Sequence, residues 1–135
     1  VKLQVVHMDD LYLGWEGLAD GTATAHKMLT ERAEGKDAHW QRFDWNAGAF
    51  QEWHSVDSLE PLLIEGCGSM FAGSEKLSQV RIWLDAETEL RRERALSRAG
   101  ENFAEHWTQW DAQFENFVAL HNPRAIATIE VSASE

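Results

Sequence analysis

The sequence predicts an α/β fold in which a layered, parallel sheet is flanked by helices. Short apolar runs of strand length recur along the chain, and longer segments with helical periodicity lie between them. Strands that alternate with helices favour parallel pairing, because a parallel connection needs a crossover long enough for a helix. The 135 residues, of which 44% are hydrophobic, suit one compact domain over residues 1–135.

The first half of the chain predicts a strand, a helix and a hairpin. Residues 2–8 (KLQVVHM) are a short apolar run, and residues 18–34 mix Ala, Leu and Met with polar residues before Gly35 ends the helix. Residues 39–45 and 49–56 carry aromatic side chains and flank the turn signal Asn-Ala-Gly. They predict a hairpin or two extended segments.

The second half predicts three strands and two helices. The strands are residues 61–66 (PLLIEG), 79–84 (QVRIWL) and 126–131 (IATIEV). Asp85 is suited to cap a helix over residues 86–99, which Gly100 ends. Large apolar residues then recur at spacings of three and four, which places them on one face of a second helix, interpreted as core. They are Phe103, Trp107, Trp110, Phe114, Phe117 and Val118.

Composition argues against several classes of function. The net charge of −11 argues against binding to the phosphate backbone of nucleic acids, which needs a basic surface. Cys67 is the single cysteine, so no intrachain disulfide forms and a reducing, cytoplasmic setting is expected. No apolar run approaches the roughly 18–20 residues that cross a bilayer, so we expect no membrane partner.

Carboxylates follow two of the predicted strands. Asp9 and Asp10 come directly after the first strand, and Glu65 lies at the end of PLLIEG. Ligands of open α/β sheets bind at the carboxyl ends of the strands, so these acids are placed to take a proton from a hydroxyl or to hold Mg²⁺. In the alternative, the aspartates cap a turn or helix and Glu65 faces solvent.

Three arginines share one face of the predicted helix over residues 86–99. Arg91, Arg94 and Arg98 follow the positions i, i+3 and i+7. Their like charges repel, and an anion such as a triphosphate among them would relieve that repulsion. In the alternative, the face is solvated and Glu87 pairs with Arg91.

Four segments in a fixed order carry a resemblance to a known family. They are HMDDLYLGWEGL (7–18), RFDWNAGAFQEWH (42–54), LLIEG (62–66), and RRERALSRAGE (91–101) followed by HWTQW (106–110). Together they resemble the uridine kinase-like branch of the P-loop nucleoside and nucleotide kinases, and within it a group of small bacterial ATP-binding proteins. The likeness covers nearly the whole chain.

The resemblance implies a base and an acceptor site. Asp9 or Asp10 would deprotonate the acceptor hydroxyl, and Asp10 is favoured because it immediately precedes the Leu-Tyr pair. Tyr12, Phe43 and Asp44 would face the acceptor. The family often has Tyr where this chain has Phe43, which removes one hydroxyl from that side.

The resemblance also implies ATP and Mg²⁺ as the cofactors. Glu65, together with Asp9, would serve the magnesium sphere. Arg94 and Arg98, with Arg91 behind them, would neutralise the phosphoryl group during transfer.

The phosphate-binding loop of the family does not occur in this sequence. Those kinases begin with a strand and a Gly-x-x-x-x-Gly-Lys-Ser/Thr loop that holds the phosphates. Here no glycine is followed by Lys and then Ser or Thr, and Gly35-Lys36 is followed by Asp37. Either the chain starts at the family's second strand, or the protein has lost ATP binding. Without the first strand, apolar strand faces stay open, which favours association with a further segment or a second copy.

Three functional hypotheses follow. The leading one is an ATP-dependent kinase that transfers a γ-phosphoryl group to a hydroxyl of a nucleoside, a sugar, an aminoglycoside or another small acceptor. The second is a non-catalytic nucleotide-binding or protein-interaction domain on a degenerate kinase scaffold. The third is a metal-dependent hydrolase that uses Asp9, Asp10 and Glu65.

Overall fold

The computed structural model describes residues 2–99 and 101–132 and shows a mixed α/β fold. Its strands are β1 (Gln4–His7), β2 (Ala38–Asp44), β3 (Ala49–Val56), β4 (Leu62–Glu65), β5 (Ile82–Asp85) and β6 (Ile129–Ser132). Its helices are α1 (Leu18–Ala33), α2 (Thr88–Ala99), α3 (Glu101–His121) and α4 (Pro123–Ile126). Short 3-10 turns lie at Met8–Asp10, Gly14–Glu16 and Ser74–Lys76.

The predicted hairpin and helices are confirmed, except that the helix predicted from residue 86 begins at Thr88 and Asp85 ends β5 and does not cap the helix. Some strands begin later than predicted. The strand predicted over residues 79–84 starts at Ile82. The Arg81 guanidinium donates to the Ser78 carbonyl (2.8 Å) and to the Ile126 carbonyl (2.6 Å). These two bonds hold the residues before β5 in a loop.

The last strand also begins later than predicted. The prediction places it over residues 126–131, whereas β6 starts at Ile129 because the short helix α4 comes first. Pro123 stands at the first position of α4, where its fixed φ suits a helix and its missing N–H costs nothing. The predicted helix end at Gly100 lies outside the described residues.

The described strands form three two-stranded sheets. β1 pairs in parallel with β4, with His7 opposite Glu65, and β5 pairs in parallel with β6, with Asp85 opposite Ser132. β2 and β3 form the antiparallel hairpin. The predicted parallel pairing is therefore confirmed. A single continuous sheet is not formed, because no strand in the described part of the chain joins the β1–β4 pair to the β5–β6 pair.

The core lies where β1, α1, the hairpin and α3 meet. Its buried side chains include Val6, Met8, Leu18, Met28, Trp40, Val56, Phe71 and Phe117. Packing is close at Gly21 of α1, where a Cβ would lie 2.7 Å from the Tyr12 ring, so a larger residue does not fit. This contact ties α1 to the segment that follows β1.

Apolar side chains are exposed to solvent on both parallel strand pairs, β1–β4 and β5–β6. Val5 and Leu63, which are opposite each other in register, are 45% and 43% exposed. Four apolar residues of the other pair are between 44% and 70% exposed: Ile82, Leu84, Ile129 and Val131. Parallel sheets are normally covered on both faces, so we still expect these faces to contact further polypeptide.

Candidate active site

A cavity of about 640 Å³ opens at the carboxyl ends of three strands. Asp9 follows β1, Cys67 follows β4 and Asp85 ends β5, and all three line the cavity. Residues of α2 and α3 contribute most of the remaining lining. This strand-end cavity therefore lies where open α/β sheets bind their ligands.

Packing at the strand ends places Asp9 at the strand-end cavity. Met8 is fully buried in the core. Gly66, at a φ of 125°, leaves room for it, because a Cβ on Gly66 would lie 2.7 Å from the Met8 Cβ. The absence of a side chain at Gly66 thus allows Met8 to pack directly against the backbone. With Met8 in the core, Asp9 is the next residue of the 3-10 turn and lines the cavity.

The two adjacent aspartates lie in different surroundings. Asp9 lines the cavity, whereas Asp10 lies outside the lining and close enough to Arg42 of the hairpin to favour the charged guanidinium. Asp9 is exposed on its solvent side. The protein around the cavity still removes part of its hydration, which is the main reason that its pKa is raised, and the like charge of Glu65 adds to the effect. Arg98 acts in the opposite direction. Sequence reasoning favours Asp10 as the base, but the geometry favours Asp9.

Glu65 ends β4 and is engaged with His7 of β1. His7 Nδ1 lies 2.6 Å from Glu65 Oε1, and this hydrogen bond raises the pKa of His7. Both side chains are exposed, at 55% and 53%. Glu65 is not part of the cavity lining, but it lies near enough to Asp9 to raise the pKa of that carboxyl.

Asp9 and Glu65 are suited to supply only some of the ligands of a Mg²⁺ ion. Mg²⁺ usually keeps several waters and takes one or two carboxylates together with phosphate oxygens of the substrate. Across residues 2–99 and 101–132, no group of three or more His, Cys, Asp or Glu side chains is arranged to hold a metal ion. Asp9, with Glu65 nearby, would therefore hold Mg²⁺ jointly with a phosphate and water, and the ion would supply charge neutralisation.

Arg91 lines the cavity and is held by α3. Its guanidinium lies 3.4 Å from Asp111 Oδ1 and 5.1 Å from the centre of the Phe114 ring. The acidic partner is Asp111. Glu87, the partner in the alternative of a solvated face, accepts from the Arg91 backbone N–H through its backbone carbonyl. This anchoring fixes the position of α2 against α3.

Arg94 and Arg98 line the cavity along the same helix face. Arg98 lies near enough to Asp9 and to Cys67 to act against the raised pKa of each group. With three arginines and three aspartates in its lining, the cavity carries a balanced formal charge within a chain of net charge −11. The cavity is therefore less acidic than the chain as a whole.

An aromatic wall forms one part of the lining. The sequence suggests that the aromatic residues of the segment 42–45 bound a pocket or pack within the hairpin, and Trp45 of that segment lies in the wall, but the part played by Trp15 was missed. We define it as Trp15, Trp45, Phe103 and Trp110. Trp15 is its centre, with ring centroids 4.9 Å from Trp45, 5.4 Å from Phe103 and 6.3 Å from Trp110. The helical spacing correctly predicts Trp110 as buried, but no spacing rule brings Trp15 and Trp45 to the same place.

Of the residues predicted to face the acceptor, Tyr12 lines the cavity. Its hydroxyl donates to the Cys67 carbonyl at 2.5 Å, and burial raises the pKa of Tyr12. Phe43 and Asp44 lie on the hairpin, outside the lining. Phe43 packs in the core against Trp45 at 5.3 Å. The Asp44 carboxylate accepts from the backbone N–H groups of the hairpin turn at 2.9 and 3.1 Å, which lowers its pKa.

Comparison with known proteins leaves the family open. No protein-family model matches the sequence, and no curated protein matches it. Within the part of the chain that the structure describes, no helix is both long enough and apolar enough to cross a membrane. A function for the strand-end cavity is therefore argued from its geometry and from the resemblance of the four sequence segments.

Proposed function

We propose that this chain carries the acceptor side and the catalytic base of an ATP-dependent small-molecule kinase. One observation carries the proposal. A single cavity at the carboxyl ends of the strands is lined by an acid with a raised pKa, Asp9, and by the arginines Arg94 and Arg98 on one helix face. A base and cations around one cavity are what transfer of a phosphoryl group to a hydroxyl requires.

In this proposal Asp9 accepts the proton of the acceptor hydroxyl. The acceptor oxygen forms a bond to the γ-phosphorus of ATP, the bond from that phosphorus to the bridging oxygen breaks, and ADP leaves. A carboxylate with a raised pKa is a stronger base than an ordinary aspartate. Arg94 and Arg98 neutralise the charge on the phosphoryl oxygens, while Arg91, anchored by Asp111, fixes their helix.

A layered, P-loop-like sheet is the finer fold that we propose. The carboxyl ends of β1, β4 and β5 share one cavity, which supports a common strand direction across the two parallel pairs. The open apolar residues on both pairs support a further strand and helix packed against them. In this proposal that further polypeptide, or a second copy of the chain, also supplies the phosphate-binding loop, because no such loop occurs in the 135 residues.

The test uses the natural protein that contains these residues. Its intact mass and N-terminal sequence come first, followed by transfer of radiolabelled γ-phosphate from ATP with Mg²⁺ to a panel of small alcohols. We expect a labelled acceptor in the wild type, and nucleotide binding without transfer in Asp9→Asn. Absence of both transfer and a nucleotide-dependent thermal shift would overturn the kinase proposal.

The second candidate is a non-catalytic binding domain on a degenerate kinase scaffold. The absence of Gly-x-x-x-x-Gly-Lys-Ser/Thr from the sequence favours it. It predicts that the natural protein also lacks the loop and that ATP leaves its Tm unchanged. A glycine-rich loop in the natural protein, together with a rise in Tm on adding ATP and Mg²⁺, would remove this candidate.

A further inference from the structure

The aromatic wall of the strand-end cavity is continuous and rigidly placed. Trp15 touches the other three members of the wall, and its outer contact is His106, stacked on it at 4.4 Å and 8°. Because these rings already contact one another, a ligand lies against the wall and does not insert between its members. Trp45 is 38% exposed, so part of its surface is accessible to a ligand.

The wall is joined directly to the proposed base. The Trp45 indole N–H donates to the Asp9 backbone carbonyl at 2.9 Å, so the position of the ring and the position of the acid are coupled. On the other side of the wall, the Gln113 side-chain amide donates to the Trp15 carbonyl, and its oxygen accepts from the Leu18 N–H at 3.2 Å. Asp9 and the wall therefore line the same cavity as adjacent groups.

The exposed surface of the cavity is mainly apolar, and several of its polar groups are already paired. Among the lining residues that the structure describes, none is Asn, Gln, Ser or Thr, so hydrogen bonds to a neutral polar ligand would fall mainly to charged side chains. The Tyr12 hydroxyl donates to a carbonyl, and the Asp85 carboxylate lies 3.3 Å from Arg124. Asp111 is bonded to Arg91. A ligand with many hydrogen-bonding groups would leave several of them unpaired in this lining, which is costly.

Resting on the kinase function proposed above, we propose that the acceptor is a flat, largely apolar ring compound that carries a hydroxyl. Its ring packs on the aromatic wall through offset or edge-to-face contacts. Its hydroxyl reaches Asp9, and the phosphoryl group lies against the arginine face of α2. The same lining disfavours sugars, aminoglycosides and nucleosides as acceptors.

The experiment measures binding without nucleotide, by isothermal titration calorimetry on the natural protein. The probes are 2-naphthalenemethanol, uridine, glucose and kanamycin. We expect 2-naphthalenemethanol to bind at least about tenfold more tightly than the other three, since one good aromatic contact is worth about that factor. We expect Trp45→Leu to weaken its binding by about tenfold and Trp45→Phe to retain most of it.

A matched control comes from the hairpin. Trp53 lies on β3, is 66% exposed and is not part of the cavity lining, so Trp53→Leu should leave binding unchanged. Equal or tighter binding of uridine, glucose or kanamycin would overturn the inference, and so would the absence of binding by 2-naphthalenemethanol. An equal loss in Trp53→Leu and Trp45→Leu would also overturn it.

The two proposals fail in different ways. Tight, Trp45-dependent binding of the naphthalene probe without any phosphoryl transfer would sink the kinase function and leave the ligand class standing. Transfer from ATP to glucose, kanamycin or uridine with a higher kcat/KM than to any aromatic alcohol would keep the kinase function and sink the ligand class.

Discussion

The acidic pair Asp9-Asp10 lies between the cavity and the hairpin, and the pKa values of carboxyl groups shift in opposite directions on these two sides. On the hairpin side, the Arg42 guanidinium lies 2.5 Å from the Glu52 carboxylate, and His54 lies 2.8 Å from the same carboxylate. These partners lower the pKa of Glu52 to about 2. On the cavity side, the pKa of Asp9 is raised. The hairpin charges satisfy one another at the surface, whereas the cavity holds an acid whose charge is disfavoured.

This difference indicates which side is built for chemistry. A group whose ionised form is destabilised in a cleft, near a specific opposite charge, is typical of catalytic sites, whereas paired surface charges are typical of solvated strands. Asp9 and Asp10 are neighbours in sequence, yet they belong to these two different regions. Changing one residue on each side therefore tests whether the two regions differ in function.

The largest expected effect is on phosphoryl transfer by the Asp9→Asn variant. Loss of a general base typically reduces rate by about 10²–10⁴-fold, and we expect kcat/KM of the natural protein to fall by that factor. Asp10→Asn is the matched control on the hairpin side, with a change of less than about tenfold. The measurement is the initial rate of labelled-product formation at saturating ATP. A larger loss in Asp10→Asn would transfer the role of base to Asp10.

The second-largest expected effect is a loss of kcat in the Arg98→Gln variant. Removing one preorganised charge at the phosphoryl group should cost about 10²-fold in kcat. Because Arg98 acts to lower the pKa of Asp9, its removal should raise that pKa further and move the acid limb of the kcat/KM profile to higher pH. Arg42→Gln on the hairpin should change neither quantity. An unchanged acid limb in Arg98→Gln would show that Asp9 does not control the limb.

A smaller effect is expected on stability. A folded-state pKa above the unfolded value of about 3.9 means that ionised Asp9 is less stable in the fold than in the unfolded chain. Asp9→Asn should therefore raise Tm at pH 7 only slightly, because Asp9 is exposed and solvent screens its charge. The gain should shrink as the pH falls toward 4. Thermal melts at several pH values check this, and a lower Tm at pH 7 would contradict it.

The elements were predictable from sequence because each depends on local patterns. The apolar runs correctly indicate β1 and β4, and the spacing of Trp110 and Phe117 correctly indicates the buried face of α3. The strand ends depend on distant partners, as when the Arg81 side chain bonds to the Ile126 carbonyl. No periodicity encodes such a bond.

The candidate site was predictable only in part. The position of Asp9 after β1 and the helical spacing of the three arginines are local features, and the structure brings them to one cavity. Trp15 and Trp45 come from a loop and a turn, where pattern rules give no direction for a side chain. Their meeting with Trp110 depends on the tertiary packing of α3, including the bond between Gln113 and the Trp15 carbonyl.

The smallest expected effect concerns the ion pair between His7 and Glu65. Glu65 raises the pKa of His7, so the pair contributes stability that is fully present below the unfolded value of about 6.5 and is lost as the pH rises through the folded value. Because both side chains are more than half exposed, the contribution should stay below about 1 kcal/mol. His7→Gln should therefore be less stable than the wild type at pH 5.5 and equal to it near pH 9, in urea unfolding at each pH. Glu65→Gln should remove the same dependence on pH, and a His7→Gln difference that is constant across this range would contradict the assignment.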